Sequence, residues 1–179
     1  MRRTVLGLFL ALMAAACDEA RFSQPLVLAG KTVPAETLEH GRILYTRYCR
    51  QCHGDQGDGK GPASFGLVPS PRDFTRAEFK FAAVANGELP NDEDLKRIVK
   101  GGLAGTAMLP WDIRDAELDA VLQYIKTFPP IDQNGEPLRE KNGELKPSKW
   151  AKKKKTGDPI ETSPDPWGEA KKEQAIARG

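Results

Sequence analysis

This sequence of 179 residues lacks a surplus of one charge, long apolar runs and an abundance of metal-binding side chains. It has 27 basic and 25 acidic residues, and loss of Arg2 and Arg3 with a leader would make the two signs equal. Such a balance gives no basis for a nucleic-acid partner, and we expect none. With only three cysteines, three methionines and two histidines, few side chains can bind a metal or a cofactor.

The N-terminus has the three parts of an export signal. Two arginines form a positive start, residues 5–13 are apolar but too few to span a bilayer, and three alanines precede Cys17. We predict that residues 1–16 are a signal peptide and that residues 17–33 are a tether. The mature chain is then exported to the periplasmic side of a bacterial inner membrane.

The fate of Cys17 determines whether the exported chain is attached to the membrane by lipid or is soluble in the periplasm. The residues before it resemble a bacterial lipobox, in which Cys17 becomes the first mature residue and carries lipid, although Ala14 stands where that motif usually has leucine. Several acyl chains would hold the protein firmly, since each buried methylene contributes about 0.8 kcal/mol. The alternative is cleavage after Ala16 by an ordinary signal peptidase, which gives a soluble periplasmic protein with a free thiol. Of the two, we predict the lipid anchor.

Residues Cys49-Arg50-Gln51-Cys52-His53 spell Cys-x-x-Cys-His, the attachment signature of a covalent c-type haem. The thiols of Cys49 and Cys52, about one helical turn apart, can each add to a vinyl group of the porphyrin. The imidazole of His53 is then held beneath the iron as an axial ligand. The motif predicts one covalent haem c.

Three other interpretations of these cysteines are open from the residues alone. A zinc site would need four ligands, and only His40 and Cys17 could complete the set. A thioredoxin-like redox pair would require a βαβ context, which is absent from the pattern. The third alternative is a structural or reversible disulfide between Cys49 and Cys52. The histidine directly after Cys52 favours haem attachment over all three.

Apolar spacing predicts three main helices and little sheet between residues 34 and 130. The first helix leads from Pro34 into the haem motif, the second is capped by Asn91 and the third by Asp115. Gly41, inside the first helix, predicts a close approach of another backbone. Long loops rich in glycine and proline join the helices, so a haem would supply much of the missing apolar interior.

Residues 131–179 differ in character from this unit. They contain the basic run 152–155, several prolines and glycines, and few aliphatic side chains, with Trp150, Ile160 and Trp167 as isolated apolar points. Low hydrophobicity and a run of like charges are typical of segments that do not form a core of their own. We predict a lysine-rich, largely irregular extension that is either disordered or follows the surface.

The second axial ligand of the iron decides what such a haem could do. Met1 and Met13 leave with the signal peptide, and His40 precedes the motif on the same helix, from which the opposite haem face is hard to reach. Met108 lies in a loop between two helices, with ample chain to pass around the haem edge. A thioether sulfur is a soft ligand that favours reduced iron. We predict Met108 as the second ligand.

Together, these motifs resemble those of the class I c-type cytochromes, which are small monohaem electron carriers. The resemblance covers residues 34–129, and Leu109 departs from it because the family often has proline there. The lysine-rich extension also lies outside the family pattern. The matching motifs are Gly41-x-x-x-Tyr45, Cys49-Arg50-Gln51-Cys52-His53-Gly54, Gly57-x-Gly59-x-Gly61-Pro62, Leu95-x-x-x-Val99 with Gly101-Gly102, Gly105-Thr106-Ala107-Met108 and Leu122-Gln123-Tyr124-Ile125.

The resemblance implies an all-α cytochrome c fold with three main helices around the haem. It implies that Cys49 and Cys52 carry the thioethers, and that His53 and Met108 ligate the iron. It also implies that the backbone carbonyl of Pro62, in the glycine-rich loop after the motif, orients the imidazole. A carbonyl acceptor of this kind fixes the ring and its tautomer.

With both axial positions filled, the iron has no place for a substrate, so we predict a one-electron carrier rather than an enzyme. Arg72 and Trp111 are predicted to contact the haem propionates. The expected partners are redox proteins or a membrane respiratory complex, because residues 71–74 resemble a subgroup found near such complexes. One alternative is a haem subunit docked permanently in a respiratory oxidoreductase. Another is a peroxidase-like enzyme, but that would need an open distal site, against which Met108 argues.

Overall fold

A computed structural model describes residues 20–161 of the protein. The predicted signal peptide, the predicted lipidation of Cys17 and the isolated Trp167 therefore lie outside the described residues. Five α-helices, one 3-10 turn and a two-stranded sheet form the regular structure of this range. The prediction of a mostly helical fold is confirmed. None of the helices described has the length and apolar character that crossing a membrane demands.

A short β-hairpin precedes the helices. Strand β1 (Leu26–Leu28) pairs with strand β2 (Lys31–Val33) in antiparallel orientation. Leu28 and Val33 are buried, whereas Val27 is more than half exposed, because successive side chains of a strand point to opposite faces. The segment predicted as a tether therefore contributes two side chains to the hydrophobic core.

Three of the next four helices are the main helices that the sequence predicts. The helices are α1 (Ala35–Tyr48), the single turn α2 (Arg50–His53), α3 (Asp92–Gly101) and α4 (Asp115–Ile125). Asn91 occupies its predicted N-cap position, whereas Pro34, predicted in the first turn, is the N-cap of α1. Helix α4 begins at Asp115 itself, with Arg114 as its N-cap, one residue earlier than predicted. In that place the carboxylate of Asp115 faces the positive end of the helix dipole.

Helices α1 and α4 cross at Gly41. A methyl group there would overlap the carbonyl oxygen of Ala120 and lie 2.7 Å from its carbonyl carbon. The predicted close approach of another backbone at Gly41 is therefore confirmed. Beside the crossing, the rings of Tyr45, Tyr124 and Phe128 contact one another with centroid separations of 5.2 to 5.3 Å. The crossing and this aromatic cluster hold the end of α1, and with it the haem motif, in place.

Residues 131–161 follow the surface of the helical unit and are irregular except for the short helix α5 (Lys149–Lys152). Trp150 in α5 is only 1% exposed and packs edge to face on Phe79, with ring centroids 6.3 Å apart. Backbone hydrogen bonds tie the last described residues to the loop that precedes α3. A buried tryptophan thus fixes a segment whose composition alone resembles a disordered tail.

Candidate haem site

The haem motif forms a single helical turn at the end of α1. The backbone N–H of His53 donates to the Cys49 carbonyl at 2.9 Å, and that of Cys52 donates to the same carbonyl at 3.2 Å. Both thiols are half-buried and belong to no disulfide within the described part of the chain. One turn therefore presents two thiols and an imidazole together, which is the donor set that thioether attachment and axial ligation require.

The glycine-rich loop after the motif folds back onto this turn. The N–H of Gly59 donates to the His53 carbonyl at 3.0 Å, and the N–H of Gly61 donates to the Cys52 carbonyl at 3.1 Å. A Cβ atom at Gly61 would lie 2.5 Å from the Arg50 carbonyl oxygen, so only glycine fits there. The Tyr45 hydroxyl donates to the Gly54 carbonyl at 2.7 Å. These bonds satisfy carbonyls at the end of the turn and make it rigid.

The imidazole of His53 is oriented through its Nδ1 atom. This nitrogen lies 3.0 Å from the backbone carbonyl oxygen of Arg72 and donates to it in the Nδ1–H tautomer. Nε2 is then the nitrogen left to bind iron. The ring also stacks on Phe74, with centroids 4.4 Å apart and an angle of 18° between the planes.

This arrangement corrects the prediction that Pro62 supplies the acceptor. Pro62 instead begins an exposed 3-10 turn (Pro62–Ser64), and the chain returns to the imidazole only at Arg72. Two contacts hold the returning segment against the glycine-rich loop. The N–H of Phe74 donates to the Gly57 carbonyl at 2.6 Å, and a Cβ atom at Gly59 would lie 2.5 Å from the Pro71 carbonyl oxygen.

Burial shifts the protonation equilibria of this turn. It lowers the pKa of His53, and the hydrogen bond to the Arg72 carbonyl opposes that shift only in part. The imidazole is therefore neutral at neutral pH, as an iron ligand must be. Burial, with a smaller contribution from Cys52, raises the pKa of Cys49 to about 12. A thiol with so high a pKa lacks the reactive thiolate of a thioredoxin-like pair.

Met108 lies in a tight loop between α3 and α4. Its N–H donates to the Thr106 hydroxyl at 3.1 Å, and its carbonyl accepts from Leu103 at 2.8 Å. Further along the loop, the Trp111 ring packs on Tyr48 with centroids 5.7 Å apart. Tyr48 directly precedes Cys49, so the Met108 loop is held beside the end of α1. The Met108 side chain is half-buried.

The two residues predicted to contact the propionates take different places in the structure. The Arg72 side chain is exposed, and it is the backbone of this residue that serves the site. Trp111 is 38% exposed and lies against α1 as described. The sequence analysis did not predict that Phe74 stacks on His53, although Phe74 ends the segment 71–74 that resembles a subgroup of the family. Propionate contacts by Arg72 and Trp111 stay predictions.

Exposed apolar side chains of the kind that a porphyrin would cover lie on the loops next to the attachment turn and Met108. Phe65 is 98% exposed and Val68 is 91% exposed, on the loop that follows the 3-10 turn packed against α2. Leu109, beside Met108, is 67% exposed. An apolar ring system would bury such side chains against itself, and the donor atoms described above match its iron and vinyl groups. The residues present therefore fit a c-type haem.

A family model agrees with this chemistry. Residues 36–125 match the family model described as cytochrome c oxidase, cbb3-type, subunit III. Among solved structures, the reducing HAO-like protein complex of Kuenenia stuttgartiensis is 36% identical over an alignment that covers 56% of this chain, with a TM-score of 0.49. The alignment spans 50% of that chain. A search of curated proteins gave no significant match.

Proposed function

This chain belongs to the cytochrome c family described as cytochrome c oxidase, cbb3-type, subunit III, and we propose that it transfers single electrons through one haem c ligated by His53 and Met108. The observation that carries the proposal is the attachment turn itself. Two half-buried thiols stand on the same turn as an imidazole whose Nδ1 is fixed by the Arg72 carbonyl. This leaves Nε2 as the only ring nitrogen that can act as a ligand.

Each residue of the site has a separate task in this proposal. Cys49 and Cys52 would hold the porphyrin through thioethers, and Met108 would provide the second iron ligand from its loop. The Arg72 carbonyl and the Phe74 ring keep the imidazole in one orientation, so that little rearrangement accompanies a change of charge. When bound, a c-type haem supplies an iron that gains and loses one electron. If His53 and Met108 both ligated the iron, no position would remain for a substrate, which is why we propose a carrier.

The setting we propose is the periplasmic side of a bacterial inner membrane, with Cys17 as a lipid anchor. Partners there are redox proteins of a respiratory chain, which exchange electrons at the edge of the haem. Because the family description names a subunit of an oxidase, a second candidate is a haem subunit held permanently in a respiratory oxidoreductase. The two candidates share every residue of the site and differ only in how long the partner stays.

The coordination is tested by optical and magnetic circular dichroism spectra of the oxidised protein. The sulfur-to-iron charge-transfer band should be present in the wild type and absent from Met108→Ala, and the reduction potential of the variant should fall. Leu109→Ala is the matched control, since it shortens the neighbouring side chain without removing a sulfur atom and should leave the band unchanged. Reduced Met108→Ala should bind carbon monoxide rapidly, whereas the reduced wild type should not. Persistence of the band in Met108→Ala would contradict the ligand assignment.

Purification from gently solubilised membranes distinguishes a free carrier from a permanent subunit of a complex. A free carrier should elute alone, at the size of one chain in detergent. A permanent subunit should elute with other oxidoreductase chains in constant stoichiometry, at both low and high salt. A soluble fraction that contains all of the protein would contradict the proposed anchor but not the proposed haem chemistry.

A further inference from the structure

A strip of lysines lies on the surface of the segment that packs on β1. Residues 146–155, here called the lysine strip, contain six lysines and no acidic residue. The strip is held in a fixed place rather than free. Trp150 at its centre is buried, and its carbonyl accepts from the N–H of Ala29 at 2.7 Å. The Ser148 hydroxyl caps α5 by accepting from the N–H of Ala151 at 3.2 Å.

The core also holds the strip through a buried cation. The ammonium group of Lys126 lies 5.1 Å from the centre of the Trp150 ring and pairs with Asp92 at 2.5 Å. Lys126 is 2% exposed, so this contact lies inside the protein and is not available to a partner. The positions of the strip lysines are therefore set by the fold, which spares a partner the entropic cost of ordering them.

The strip keeps a net positive charge after its internal ion pairs are counted. The pairs are Lys149 with Glu78, Lys153 with Glu88 and Lys155 with Asp158. Lys152 and Lys154 are exposed and have no acidic partner among residues 20–161. The β1–β2 turn lies beside the strip, because Gly30 packs against the Lys154 backbone. The neighbouring Lys31 side chain is 74% exposed, and its ammonium group lies 3.6 Å from Asp92, a single carboxylate that it shares with Lys126.

We infer that the lysine strip binds the anionic phospholipid headgroups of the membrane on which the protein is anchored. This inference rests on the proposed membrane-side location. The chain from Cys17 to Leu26 can span at most about 32 Å, so the strip, which packs on β1, stays close to the proposed anchor. Basic clusters beside a membrane anchor gain affinity for anionic lipid with each lysine.

The surroundings of the strip favour lipid over an acidic protein as its partner. Leu26 and Val27, on the strand that the strip covers, are 37% and 56% exposed. Apolar side chains next to lysines suit the boundary between headgroups and acyl chains, where both kinds of group find partners. Contact there would also orient the domain. Trp150 contacts Phe79, Phe79 stacks on Phe74, and Phe74 stacks on His53, so the strip and the iron ligand belong to one rigid unit.

The test is the binding of purified haem-containing protein to lipid vesicles. Protein that begins at residue 17 and carries Cys17→Ser is used throughout, because it has neither an acyl chain nor the apolar leader and so isolates the contribution of the strip. Vesicles of phosphatidylethanolamine with phosphatidylglycerol are compared with vesicles of zwitterionic lipid alone, at low and high salt. Binding to anionic vesicles is expected at low salt, with loss at high salt, and little binding to zwitterionic vesicles.

Two double variants, each of which removes two positive charges, show whether the lysine strip is the surface that contacts the lipid. Lys152→Gln/Lys154→Gln should weaken binding to anionic vesicles by about fivefold for each lysine removed. Arg47→Gln/Lys141→Gln removes two exposed charges elsewhere and should bind like the parent. Equal weakening by both variants, or equal binding to both kinds of vesicle, would overturn the inference. A preference for soluble polyglutamate over anionic vesicles would do the same and would point to an acidic protein.

The absorbance spectrum of each sample separates this inference from the proposed function. If the protein shows a normal c-type spectrum but does not bind anionic vesicles, the proposed role of the strip is overturned and the proposal of electron transfer is unaffected. A sample that binds the vesicles but shows no haem bands contradicts electron transfer and leaves the strip supported.

Discussion

Replacement of Gly41 by alanine should weaken the crossing of α1 and α4, although alanine is the better helix former. In an exposed helix this change stabilises by about 1 kcal/mol. Here the new methyl group meets the Ala120 carbonyl oxygen and lies 2.7 Å from the carbonyl carbon and 2.9 Å from the Tyr124 Cβ atom. None of these atoms can rotate aside, so the helices must separate. Overpacking of this kind costs up to about 3 kcal/mol, which leaves a net destabilisation of about 2 kcal/mol.

Thermal unfolding of the oxidised protein, followed by far-ultraviolet circular dichroism, measures this effect. A loss of about 2 kcal/mol should lower Tm by about 4–8 °C in a chain of this size. Gly101→Ala is the matched control, because Gly101 ends α3 with no atom within 4 Å of the site where its Cβ would lie. That variant should unfold at the parental Tm or slightly above it. If Gly41→Ala also raised Tm, the crossing would not be as close as described.

Two further substitutions test the support of the imidazole and the anchor of the extension. Gly59→Ala should shift the reduction potential in a redox titration. Its Cβ atom would lie 2.5 Å from the Pro71 carbonyl oxygen and would push the adjacent Arg72 carbonyl away from the imidazole. Gly66→Ala is the control, because Gly66 has the same φ of 76° but no atom within 4 Å of the Cβ position, and it should leave the potential unchanged. Trp150→Ala should destabilise by about 3–5 kcal/mol in urea unfolding, and Trp150→Phe by clearly less. An unchanged reduction potential in Gly59→Ala would contradict the close contact with Pro71, and an unchanged urea midpoint in Trp150→Ala would contradict the burial of Trp150.

The parts of the fold that the sequence predicts well are those with local causes. Asn91 takes its predicted cap position, and Pro34 lies one residue before its predicted place in the first turn, because the preference of each depends on the backbone of only the next few residues. Gly41 is also informative, since a glycine costs stability inside a helix but lets another backbone come close. The attachment turn belongs to the same class, as its two thiols and imidazole lie within five consecutive residues.

The acceptor for His53 could not be predicted in the same way. A backbone carbonyl carries no signature in the residue to which it belongs, so the sequence offers no reason to prefer Arg72 over Pro62. The choice depends on how far the glycine-rich loop travels before it returns, and that length is set by the contacts of Gly57 and Gly59 with residues 71–74. Only the type of partner, a carbonyl, follows from the chemistry of a ligating imidazole.

The lysine-rich extension shows why composition alone does not decide order. Its charge and low hydrophobicity match a disordered tail, and no helical or strand periodicity opposes that interpretation. For residues 131–161 a single side chain favours the other predicted alternative, an arm that follows the surface, because Trp150 buries a large ring between Phe79 and the Lys126 ammonium group. Burial of one aromatic residue can hold a short segment when the receiving surface is already formed by the rest of the fold. That surface consists of residues distant in sequence, so no window around Trp150 could indicate it.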